Sequence, residues 1–149
     1  MDSHGSGNYL ERKTQRLHIH EDISIHPAIK IPGYYTKKGK VKSYQPDILT
    51  PTRVIECKND ENGGAPEKLP QAVLKQKKLA EVTGTQGFLI YEGTTYEWYI
   101  KNDPIMLQVM ESFPEVIVTS FTNYKKNYSW TQLICLPGVE VSAQAWRVL

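Results

Sequence analysis

Residues 44–60, YQPDILTPTRVIECKND, hold two short apolar runs that carry charge at fixed places. Asp47 follows Pro46 at the head of one run, and Glu56 and Lys58 flank Cys57 at the end of the other. Buried strands exclude unpaired charge, because desolvating it is costly. The Thr50–Pro51 step reads as a tight turn, so the two runs predict a strand hairpin. Residues two apart on a strand share a face, so Glu56 and Lys58 point one way and Cys57 the other. A register that sets Asp47 beside Glu56 brings two carboxylates and one ammonium together. Unpaired, the carboxylates repel and one takes up a proton; a cation between them removes the conflict.

The donors offered are hard oxygens: Asp47, Glu56 and the main-chain carbonyl of Cys57. Such a set favours Mg²⁺, with Mn²⁺ able to substitute, over zinc. Lys58 then stands beside the ion, placed to orient a water or steady charge developing on a phosphate. The plainer reading is an ion pair of Lys58 with Glu56 or Asp47 at a strand end. The proline before Asp47 and the apolar character of both runs favour the functional one.

Around this hairpin the pattern is that of an α/β protein. GNYLERKTQRLHIHE reads as a helix capped by Asn8, and DISIHPAIKI as a strand that Pro27 bends or places at an edge. PGYYTKKGKVKSY reads as a hairpin turning at Gly39. NDENGGAP is a loop broken at Gly63–Gly64. From Pro66 to Gly84 a helix presents Leu69, Ala72, Val73, Gln76 and Ala80 on one stripe, with Leu79 beside it and Gly84 as its stop. TQGFLIYEG reads as a buried strand, and the aromatic TTYEWYI as a strand paired with it. DPIMLQVMESFP is a helix with Asp103 as cap and Pro104 at its first position, and EVIVTSF is a further strand. The C-terminal segment is turn-rich, with a strand-like run at 133–136. This order predicts a central mixed β-sheet flanked by helices.

At 149 residues the chain reads as one domain. No apolar run reaches the roughly 20 residues that span a bilayer, so no membrane is expected. No secretory signal is seen, and the two cysteines form no disulfide framework. A reducing compartment, and so the cytoplasm, is the expectation. The net charge of +2 decides little, but its distribution matters. Lys37, Lys38, Lys40 and Lys42 form one cluster, Lys68, Lys75, Lys77 and Lys78 a second, and Lys125 and Lys126 a third. Any one cluster is ordinarily a solvated face; three in a small chain point to a side that meets a polyanion such as DNA.

QPDIL followed by IECK resembles the Pro-Asp…(Asp/Glu)-X-Lys nuclease superfamily, whose members share the restriction-endonuclease-like core. The resemblance extends over residues 7–91, leaving 92–149 as completing elements and a DNA-recognition or dimerisation surface. It implies a Mg²⁺-dependent DNA endonuclease. Asp47 and Glu56 would be metal ligands together with the Cys57 carbonyl, and Lys58 the catalytic lysine. GNYLERK is similar to the family's first helix, which makes Glu11 an auxiliary ligand. The exonuclease-type pattern Gln-X-X-X-Tyr is missing, since Lys75 stands four residues after Gln71.

Cutting both strands of a duplex needs two active sites, so one chain implies a homodimer or higher symmetric oligomer. Site-specific cleavage of duplex DNA, of restriction or homing type, is the first expectation. A junction resolvase and a non-catalytic DNA-binding domain of the same fold are the alternatives. DNA contacts are expected from Lys37, Lys38, Lys40, Lys42, Lys75, Lys125 and Lys126. Tyr124 and Tyr128, interleaved with lysine, are the aromatics best suited to join them. The other tyrosines and Trp98, Trp130 and Trp146 read as core or interface. His18, His20 and His26 read as surface or phosphate-contacting residues, and Gln71 and Gln76 as helix surface.

Overall fold

Helix α1 (Gly5–Arg16) opens the chain in the computed structural model, which describes residues 5–59 and 65–129. It starts before Asn8, so that residue lies inside the helix and does not cap it. The apolar run that follows is divided in two at His26–Pro27. Its first part is β1 (Ser24–Ile25) and its second is β2 (Ile29–Tyr35). Pro27 lacks the N–H that would continue the ladder, and the halves join different sheets. β2 pairs with β3 (Val41–Tyr44) in a separate two-stranded ribbon that turns through Gly39, at φ 82°.

The charged hairpin is β4 (Ile48–Leu49) and β5 (Arg53–Asn59), antiparallel, with Ile48 opposite Ile55 and Leu49 opposite Val54. One turn of 3₁₀ helix (Pro66–Lys68) leads into α2 (Leu69–Thr83), with Pro70 harmless in its first turn. Gly84, left-handed at φ 68°, ends the helix. β6 (Gln86–Glu92) returns parallel to β5. Helices α3 (Thr94–Asn102) and α4 (Pro104–Ser112) cross to β7 (Ile117–Ser120), parallel to β6, and α5 (Phe121–Tyr128) follows. The result is α/β: a five-stranded mixed sheet in the order β1-β4-β5-β6-β7, flanked by helices.

The segment TTYEWYI is a helix and not a strand. Tyr96 and Ile100 are buried while Trp98 is 65% exposed. A strand would put all three on one face; burial four residues apart with the middle residue outside is helical. Asp103 caps α4 as expected, its side chain accepting from the Met106 amide at 2.9 Å. The Gly63–Gly64 breaker, the run at 133–136, Trp130 and Trp146 lie outside the described residues.

Alternation along β5 and β6 builds a core on each face of the sheet. Ile55, Cys57, Phe88 and Ile90 pack with Leu10 of α1, Leu17 just after that helix, and Tyr124 of α5. On the opposite face, Leu89 and Tyr91 meet α2, α3 and α4, and Val54 meets Leu79 and Ile31. Gln76 belongs to this second core. It is fully buried and donates from Nε2 to the carbonyls of Val54 and Phe88, both at 3.0 Å, which corrects its reading as helix surface.

Candidate active site

The β4–β5 register, carried one residue past Ile48–Ile55, sets Asp47 opposite Glu56. It is there that β4 ends while β5 runs on through Cys57 and Lys58. The fork is closed by one bond: the Cys57 amide donates to Asp47 Oδ2 at 2.7 Å. The N–H and C=O of a strand residue face the same side, so the Cys57 carbonyl opens on that same edge. Lys58 Nζ lies 3.3 Å from Glu56 Oε2 on the α2 face. The plain ion pair is therefore present, but only one Glu56 oxygen takes part in it. The other, Oε1, is buried and has no hydrogen-bond partner among the described residues.

Two further groups reach Asp47 from outside the hairpin. Glu11 arrives on α1, and its Oε2 lies 3.0 Å from His26 Nε2. His26 directly follows β1 and carries its register with β4 one residue past Ile25–Ile48. The His26 amide donates to the Asp47 carbonyl at 3.0 Å, and its Nε2 lies 3.6 Å from Asp47 Oδ1. Glu11, His26 and Asp47 each offer one donor atom within 4.8 Å of the other two. Glu92, at the end of β6 beyond β5, lies outside this cluster and pairs with Lys13 at 2.6 Å.

The electrostatics are those of carboxylates short of positive charge. Burial pushes the Asp47 carboxyl up to about 7, and the charge of Glu11 adds to the rise; the Cys57 amide and His26 work against it. Burial also raises Glu56, Asp47 raises it further, and Lys58 only partly offsets this. Burial disfavours the charge on Lys58, but Glu56 outweighs it and the net shift is upward, so Lys58 is an ammonium at neutral pH. A hard dication fits the donor set: carboxylates held together against their own repulsion, an orphaned buried oxygen on Glu56, and a main-chain carbonyl on the same edge.

Beside Glu56 and Lys58 opens a groove of about 720 Å³, between the β2–β3 ribbon and α2. Lys68, Lys75 and Lys78 line it with Tyr34, Tyr44 and Gln71. Lys75 Nζ sits 5.5 Å over the Tyr44 ring, and Lys42 Nζ 5.3 Å over Tyr34. Lys37, Lys38 and Lys40 are exposed at the ribbon tip. Lys125 and Lys126 are exposed on α5, a helix packed on the opposite face of the sheet, and do not line the groove.

Two expected surface residues are core. Tyr124 is fully buried, accepts from Arg53 Nη1 at 2.7 Å, and shares a 2.7 Å hydrogen bond with His18 Nε2. His18 is fully buried as well, and its Nδ1 meets Glu21 Oε2. Both rings are shut off from DNA. Sequence reasoning sets His26 aside as a ligand, since His18, His20 and His26 alternate like metal ligands but no Cys or acidic pair in the sequence completes a site with them; the structure brings His26 alone to Glu11 and Asp47. No protein-family model, curated protein or solved structure matches this chain.

Proposed function

We propose that the chain is a metal-dependent endodeoxyribonuclease with a restriction-endonuclease-like core, acting on duplex DNA at specific sites as a homodimer. One observation carries the reading: the β4–β5 register sets Asp47 opposite Glu56 where the strands part, with Lys58 next to Glu56 and Glu11 brought in by α1. A structural ion pair needs Lys58 and one acid; it does not need two more carboxylates held against repulsion.

Asp47, Glu56, the Cys57 carbonyl and Glu11 are the residues that would hold Mg²⁺. When bound there, such an ion polarises a phosphoryl oxygen and makes water a better nucleophile. Lys58 is protonated, so it donates: it holds a water or a phosphate oxygen and offsets charge that grows in the transition state. Lys68, Lys75 and Lys78 give the groove wall a positive lining for the phosphates that flank the scissile bond. The ribbon carries Lys37, Lys38, Lys40 and Lys42 outward, in position to reach along a duplex.

The test is nicking of supercoiled plasmid with Mg²⁺ and with EDTA, followed by digestion of a long natural DNA. Discrete fragments support site-specific cleavage, and selective cutting of a four-way junction turns the reading to a resolvase. DNA binding with no cleavage under Mg²⁺ or Mn²⁺ would leave a non-catalytic binding domain.

A further inference from the structure

His26 holds a backbone conformation that needs explaining. Its φ is 49°, the only positive value among the described non-glycine residues. A residue before proline is driven toward extended backbone, yet this one is left-handed. Its amide is still used on Asp47, so the chain turns without leaving the sheet edge. The turn brings Nε2 to 3.0 Å from Glu11 Oε2 and 3.6 Å from Asp47 Oδ1. A half-exposed ion pair contributes little and requires no such backbone.

Donors that share one cation at bonds of about 2.1 Å are separated by roughly 3.0 Å at a right angle and roughly 3.4 Å at a tetrahedral one. The separations at His26 are of that size. An independent observation points the same way: Glu56, 8% exposed and set opposite Asp47 by the register, keeps an unpartnered Oε1.

We infer that His26 is a ligand of the same centre and makes it a mixed nitrogen–oxygen site, which takes first-row transition dications in preference to Mg²⁺. The inference rests on the metal-site reading above and deepens it. Imidazole suits transition metals, whereas Mg²⁺ prefers oxygen throughout. An all-carboxylate site would discriminate far less.

The test is calorimetric titration of the full chain with Co²⁺, Mn²⁺ and Mg²⁺, with the visible spectrum of Co²⁺ as a second readout. The variant is His26→Asn, because asparagine tolerates the left-handed region; His26→Gly replaces it should that protein not fold. The expected result is a loss of Co²⁺ and Mn²⁺ affinity of about tenfold or more, scaled from outer-shell losses. Mg²⁺ affinity should stay within about threefold, and the Co²⁺ spectrum should change. Unchanged Co²⁺ affinity, or an equal loss for Mg²⁺ and Co²⁺, overturns the inference. Asp47→Asn separates the two readings. If it abolishes binding while His26→Asn leaves Co²⁺ affinity unchanged, only the role of His26 falls; if neither variant changes binding, the metal site itself falls.

Discussion

Asp47 and Cys57 are joined across the end of β4 by a 2.7 Å hydrogen bond from the Cys57 amide to Asp47 Oδ2. The bond fixes one carboxylate oxygen and leaves Oδ1 to face His26. Asparagine can accept the same bond, so Asp47→Asn should fold as the native chain does. It should nonetheless lose cleavage, because an amide oxygen is a weaker ligand for a hard dication than a carboxylate. Plasmid nicking and thermal melting on one preparation check both halves; cleavage at the native rate would remove Asp47 from the site.

The raised pKa of Asp47 sets the direction of a pH effect. Its folded value of about 7 exceeds the ordinary 3.8, so the folded state binds the proton more tightly than the unfolded state. The stability this contributes is complete below pH 3.8 and is lost as pH rises through about 7. Without metal, the melting temperature of the native chain should therefore fall relative to Asp47→Asn between pH 5 and pH 8. A saturating divalent ion should reverse the trend and stabilise the native chain more at pH 8 than at pH 5. A metal-induced shift independent of pH would contradict this.

Lys58 is expected to act on rate more than on binding. Lys58→Ala should lower the single-turnover cleavage rate by about 10²-fold or more, the scale of losing one preorganised donor. Its DNA dissociation constant should stay within a few-fold of native. An equal loss in both would make Lys58 a phosphate contact only.

Glu11 reaches the cluster from α1 and tests whether that helix is part of the site. Glu11→Gln should raise the Mg²⁺ concentration for half-maximal cutting. Melting temperature without metal should hold or rise, because one carboxylate leaves a repelling group. Normal Mg²⁺ dependence with normal rate would return Glu11 to a surface role.

The ribbon lysines should affect affinity alone. Replacing Lys37, Lys38 and Lys42 together should weaken DNA binding and reduce its salt dependence by about one unit of slope for each phosphate left without its lysine. An unchanged slope would take the ribbon off the DNA surface. Lys125 and Lys126, on the opposite face, serve as the comparison.

What the sequence made legible was local. The hairpin follows from the two apolar runs and the turn at Thr50–Pro51; of the registers open to it, β4–β5 adopt the one that sets Asp47 beside Glu56. Likewise Asp103 and Gly84 mark helix ends by their own chemistry, without help from the rest of the chain. Aromatic content misled at Tyr96–Ile100, where spacing and not composition decides between helix and strand. Tyr124, His18 and Gln76 looked polar enough for the surface. They are buried because partners distant in sequence satisfy them: Arg53 for Tyr124, Tyr124 for His18, and two strand carbonyls for Gln76. His26 was hidden for the same reason, since its neighbours Glu11 and Asp47 come from other elements.

The β2–β3 ribbon leaves the sheet just after His26 and returns to it just before Asp47. Ile31 anchors its root against Val54 and Leu79, while residues 32–43 are exposed. The ribbon is thus an excursion inserted between two residues that β1–β4 pairing already holds together. On the nuclease reading proposed above, rewriting its exposed tip would change what the groove meets while the pairing that holds His26 beside Asp47 stays in place.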